Sequence, residues 1–220
     1  DGVDVYCSGC SGGLVAKNKV KSVIDDDTCF AFFVSASDPN DPNAPVAPPA
    51  GPFVVEGNAA SFCFDAGFEV SGAGATLRKN SAKNCGGDDS ESGFAISGSG
   101  HVLEKNTSSG NFSTGFSLAG GSHALTGNTA SGNLGDGFRV ETFATGGNTF
   151  TDNKSKANLG QGFAVQLDPN DPNAPAAPSS FTGNAASGNR TDFCEDAGAA
   201  SVLSGNSFAT TAAECFDFED

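Results

Sequence analysis

The sequence has no methionine, no tryptophan and a single tyrosine, Tyr6, and it carries only 11 lysines and arginines against 26 aspartates and glutamates. Without methionine, Asp1 is not an initiator, so we expect a removed leader and an extracellular or cell-surface location. The shortage of basic residues leaves a formal charge of −15. That argues against a nucleic-acid partner, which needs a concentrated positive field. Long apolar runs are missing as well. The longest, residues 29–34, is far short of the ~20 residues that span a bilayer, and membrane insertion is not expected. Nor does any ten-residue stretch show the apolar stripe of an amphipathic helix.

Glycine (30 residues) and asparagine (18) are abundant, and seven cysteines, at 7, 10, 29, 63, 85, 194 and 215, point to an oxidising compartment. The chain is 37% hydrophobic and 17% charged, apolar enough for one core and one domain over residues 1–220. Asn106, Asn111, Asn153 and Asn189 each begin an Asn-x-Ser/Thr sequon and are candidate glycosylation sites.

An internal repeat organises the chain. In residues 125–140, Asn128 is followed five residues later by Asn133 and ten later by Phe138, the latter inside Gly-Phe-x-Val. Equivalent first asparagines recur at Asn58, Asn80, Asn106, Asn128, Asn153, Asn184 and Asn206, in steps of 22, 26, 22, 25, 31 and 22. Ten residues on stand Phe68, Phe116, Phe138, Phe163, Cys194 and Phe216; the turn from Asn80 reaches Phe94 late, its surplus lying in residues 86–92. A 22-residue unit with short apolar pieces and Gly/Asn corners reads as one coil of an all-β solenoid, three short strands per coil, each pairing in parallel with the next coil about 4.8 Å away. The Phe rank fills the interior, the Asn rank forms an amide ladder, and the Gly before Phe is expected to supply a positive φ. Asn18 with Cys29 and Phe30 starts an earlier coil and residues 1–17 a partial one, giving about eight coils.

Over about residues 54–216 this Asn/Gly-Phe pattern resembles the right-handed parallel β-helix repeat family, which includes NosD-like and carbohydrate-associated repeat proteins. The resemblance implies a right-handed parallel β-helix. For activity it leaves lyases, hydrolases, epimerases, adhesins and purely structural proteins open.

Two insertions, residues 38–52 and 168–179, share the segment Asp-Pro-Asn-Asp-Pro-Asn-Ala-Pro. Asp38, Asn40, Asp41 and Asn43, with Asp168, Asn170, Asp171 and Asn173, offer alternating oxygen ligands suited to Ca²⁺; stiff proline turns are the alternative, and no other cofactor is expected. Cys63 and Cys85 both lie five residues after a first Asn and are expected to be bridged across one coil. The 22- and 21-residue spacings suggest Cys7–Cys29 and Cys194–Cys215 as two more, leaving Cys10 for an intermolecular bond.

Asp65, Asp136, Gln161 and Asp192 are expected at one corner, with Asp136 and Asp192 roughly 9.6 Å apart over two coils of about 4.8 Å, the outer limit for an inverting carboxylate pair. His101 and His123, 22 apart, stack without an acid or serine partner in the sequence, and Arg78, Arg139 and Arg190 are scattered. The Asp-Pro-His-Asp of the epimerases, the Gly-His-Gly of the polygalacturonases and the Arg-x-Pro-x-x-Arg of the pectate lyases are all missing. The expectation is therefore a non-catalytic structural subunit that stacks with copies of itself through ends bearing Phe216 and Phe218, in a filament, sheath or layer. A polysaccharide-binding or polysaccharide-processing β-helix of the cell envelope is the alternative.

Overall fold

The computed structural model describes residues 3–8, 13–23, 28–35, 53–87, 91–142, 147–167, 178–196 and 199–215. All eight expected Ca²⁺ ligands, Cys10, Phe216 and Phe218 lie outside them. The described residues form short strands and no helix, wound into three parallel sheets. Sheet A has nine strands, from Val3–Ser8 to Thr211–Ala212. Sheet B has eight, from Gly13–Ala16 to Val202–Ser204, and sheet C eight, from Lys19–Val23 to Ser207–Phe208. Strands pair only with the same strand of adjacent coils, so a residue's partners are its rank mates: Phe94 pairs with Phe68 on one side and Phe116 on the other.

Stacking of ranks builds the core. Phe30, Phe68, Phe94, Phe116, Phe138 and Phe163 form one column of rings with centroids 4.7–4.8 Å apart. In sheet B the inward rank runs Val55, Leu77, Leu103, Leu125, Phe150, Phe181. Its two rings stack at 4.5 Å and meet Phe138 and Phe163 edge-on. Over the middle coils the inward rank of sheet C is Ala60, Ala82, Ser108, Ala130, Ser155 and Ala186, all buried, with the larger Val20 and Phe208 at its two ends. Small side chains there leave room for the phenylalanines. Each buried ring contributes about 1.5–3 kcal/mol, and each stacked pair about 0.5–1.5 kcal/mol more.

Between sheets B and C, Asn18, Asn58, Asn80, Asn106, Asn128, Asn153, Asn184 and Asn206 form a continuous ladder. Each Nδ2 donates to the next Oδ1 at 3.0–3.1 Å. The same oxygen accepts the previous rung's backbone N–H at 2.8–2.9 Å. The second Nδ2 proton goes to the carbonyl of a residue in the inward rank of sheet B, such as Leu103 O for Asn128. The amide and backbone N–H of each rung, which lie outside the sheets, are thus paired. A second ladder between sheets C and A joins Asn111, Asn133, Asn158 and Asn189. Three of the four sequon asparagines, Asn106, Asn111 and Asn153, are therefore buried rungs. Asn189 donates to Ser155 O and Asp192. In the fold the amides of Asn106, Asn111 and Asn153 are committed to the ladders.

Three expectations are corrected. The glycines before the ladder phenylalanines have no positive φ. At Gly115 a Cβ would sit 2.6 Å from Gly137 O and 2.8 Å from Asn133 Nδ2, so close packing requires glycine there. The rung after Phe163 is Phe193, not Cys194, because this coil lacks the glycine and Asp192 takes its place. The next rank mate is Thr211 rather than Phe216, and the ring of Phe208 stacks on Phe193 at 5.3 Å instead.

The cysteine register differs as well. Cys29 occupies the glycine rank before Phe30, points inward and bridges Cys63, leaving Cys85 a buried free thiol with its sulfur 2.9 Å from that of Cys63. Burial pushes the Cys85 thiol above its ordinary pKa. Cys7 pairs in the sheet with Val34 and not with the rank of Cys29, so equal spacing did not mean equal rank. Cys194 bridges Cys215 with Cα atoms 5.2 Å apart.

Candidate functional site

A parallel strand with one face in the core turns its alternate residues outward. On sheet A the first outward rank runs Ala31, Glu69, Ala95, Ser117, Arg139, Ala164, and the second Phe33, Ser71, Ser97, Ala119, Glu141, Gln166. Over the middle coils these side chains are alanine and serine, too small to fill the space above the strands. The corner between sheets C and A rises beside them, lengthened in one coil by the surplus residues 86–92. The result is a hollow of about 260 Å³, floored by Ala95, Ser97, Ser117 and Ala119 and walled by Thr28, Asp65, Glu69 and Glu91. Three carboxylates from three different segments thus share one concave site with two serine hydroxyls.

The corner row expected from the sequence is not a single row. The residues in register before the glycine rank are Ala66, Ser92, Thr114, Asp136 and Gln161. Asp65 is one position earlier and lines the hollow, whereas Asp192 is one position later. Asp136 is fully buried: one oxygen accepts the Gln161 N–H at 2.7 Å and the other the Arg139 Nε–H at 3.1 Å. It anchors Arg139 beside the outward rank of Ser117. Asp192 is also buried, accepting from Asn189 and the Ala209 N–H. Neither is placed as a catalytic partner of the other. Among the described residues, no group of three or more His, Cys, Asp or Glu is arranged to hold a metal ion.

His101 and His123 stack with centroids 5.2 Å apart, but they do so at the buried corner between sheets A and B. The Nδ1 of each accepts a backbone N–H, from Ala75 and His101 respectively. This fixes the proton on Nε2, which faces Ser97 O and Ala119 O. A second proton would face an N–H donor in a dry corner. Burial, reinforced for His123 by the neighbouring His101, therefore holds both below their ordinary pKa, that of His123 at about 4. They belong to the scaffold.

Sequence reasoning placed Asp65 in a corner row, left Arg139 among scattered arginines, and missed Glu69 and Glu91. Glu69 had a readable signal, since it directly follows ladder residue Phe68 and so must face outward. Glu91 had none, because its place depends on how the surplus turn folds. Arg78, on the outer face of sheet B, pairs with Glu56 at 2.9 Å, away from the hollow.

The profile described as "Right handed beta helix region" matches residues 2–171. Among solved structures, the A-module of mannuronan C-5 epimerase from Azotobacter vinelandii aligns with a TM-score of 0.67 at 15% identity, covering 92% of this chain and 58% of that one. The periplasmic alginate epimerase AlgG aligns with a TM-score of 0.51 at 17% identity, covering 91% and 50%. The chain thus spans half to somewhat more than half the length of these proteins, and at such identities the likeness shows the fold alone. No curated protein matches the sequence. The ladders, the three parallel sheets and the profile agree: this chain belongs to the right-handed β-helix family.

Proposed function

We propose that the chain acts on a polysaccharide held along the outer face of sheet A. The observation that carries this reading is the hollow in which Asp65, Glu69 and Glu91 converge over a floor of alanine and serine. A flat floor one sheet wide suits a linear polymer, and carboxylates are both acceptors for sugar hydroxyls and the usual acid/base groups of glycan chemistry. Arg139, held by Asp136, extends the polar face by one coil. Two solved β-helices of the same architecture are epimerases of mannuronan and alginate, which supports a polysaccharide as the ligand class. The disulfides support an oxidising location, in the envelope or outside the cell.

This reading displaces the end-to-end filament expected from the sequence. The end residues that expectation named, Phe216 and Phe218, lie outside the described residues, and it is the solved β-helices of the same architecture that favour the polysaccharide alternative. The test is a panel of neutral and uronate polysaccharides, assayed for binding and for new reducing ends or altered sugars, with native protein and with Glu69→Gln, Glu91→Gln and Asp65→Asn. The expected result is turnover of one polymer that falls about 10²-fold or more in at least one variant. Binding without turnover would make the site a binding module. Variants as active as the native protein would remove the hollow from the function.

A further inference from the structure

The eight lysines of this acidic chain are not scattered. Lys19, Lys21, Lys83, Lys154 and Lys156 lie on outward ranks of sheet C, and Lys17, Lys79 and Lys105 at the corner that leads into it. All eight are exposed, and no residue of a sheet C strand is an aspartate or glutamate. Between the lysines the outward ranks carry Ser61, Ser81, Thr107, Ser109, Thr129 and Ser131. Of the nearby acids, Glu56 and Glu104 end sheet B strands, Glu56 being drawn to Arg78 and Lys79, and Asp152 stands at the same corner position as Lys17, Lys79 and Lys105.

Three of these lysines occupy a costly backbone position. Lys17, Lys79 and Lys105 have φ of 59°, 56° and 53°, in the left-handed region, at the corner position where other coils use Gly57, Gly127, Gly183 and Gly205. Asp152, with φ 53°, shares that position in another coil, so the backbone there accepts a charged side chain of either sign.

From this segregation we infer a second binding face: sheet C docks a linear acidic polysaccharide, bearing carboxylates or sulfates along its length, parallel to the helix axis. From the coil of Lys19 to that of Lys156 the face extends five coil steps, roughly 24 Å at about 4.8 Å each. Ammonium groups at both ends meet the anions, and the hydroxyls between them meet the sugar. The net charge of −15 does not forbid this, because at physiological salt fields decay within about 8 Å. A polymer on sheet C therefore feels the lysines ahead of the carboxylates on sheet A. The inference stands independently of the sheet A site and gives the protein a way to be held on an acidic polymer with that site turned away from it.

The test exchanges each of four lysines for a residue that another coil uses at the same rank: Lys79→Gly, Lys105→Gly, Lys154→Thr and Lys156→Ser together. Binding to immobilised polygalacturonate is measured at low and high salt, with dextran as the neutral control, anionic phospholipid vesicles as a second surface, and Glu69→Gln/Glu91→Gln as the sheet A control. The expected result is salt-sensitive binding of native protein to polygalacturonate but not to dextran. It falls at least tenfold in the lysine variant, whose melting temperature does not drop, and persists in the sheet A control. Equal affinity of native protein and lysine variant would overturn the inference, as would binding to the vesicles alone.

Discussion

Replacing Asn128 with alanine removes one acceptor from two donors at once, the backbone N–H and Nδ2 of Asn106, and leaves Leu103 O without its partner. Each buried group so orphaned costs about 1–3 kcal/mol. Urea unfolding of Asn128→Ala should therefore show a loss of about 2–4 kcal/mol. Asn206→Ala, at a half-exposed rung, should lose less, and equal losses would mean that the ladder is not the source. The stacked histidines make a second prediction at this scale. Both are held neutral in the fold, so in the window from about pH 6.5 down to about 4 the unfolded chain binds more protons than the folded one, and stability rises with pH. Their contribution is complete above pH 6.5 and is lost on acidification, His123 alone accounting for on the order of 3 kcal/mol by about pH 4. His123→Asn, which installs the residue found at the same rank as Asn148, should flatten that part of the stability profile. A native profile that is flat between pH 4 and 6.5 would contradict this.

At the scale of the coil, the sequence was legible wherever rank and spacing coincide. The Asn ladder, the Phe column and the three-strand unit all follow from a 22-residue period, because a parallel coil repeats every contact with its neighbour. Legibility failed where turns change length. Loss of one residue before Phe193 moved the column off Cys194, and the inward-facing Cys29 took the partner that spacing had assigned to Cys85. Peptide mapping without reduction should link Cys29 to Cys63 and Cys194 to Cys215, with Cys85 alkylated only after unfolding. A Cys63–Cys85 peptide from native protein would return the register to the one spacing suggested. The hollow was less legible than the fold for the same reason. Its floor is ordinary alanine and serine, and its wall is assembled by turns whose course no period encodes.

As a whole, the molecule is a prism whose faces differ in chemistry. Sheet A carries carboxylates around a hollow, sheet C carries lysines and hydroxyls, and sheet B carries the Glu56–Arg78 pair beside threonines. Equivalent backbone on three faces with different outward ranks means that side chains alone, and not the fold, decide what each face binds. The most direct measurement of the central claim is a crystal structure of the native protein with an oligosaccharide from the polymer it binds. The account predicts sugar rings along the outer face of sheet A, with hydroxyls within hydrogen-bond reach of Asp65, Glu69 or Glu91. Sugars bound only to sheet B or sheet C, with the hollow above Ala95 and Ser117 holding none, would contradict it.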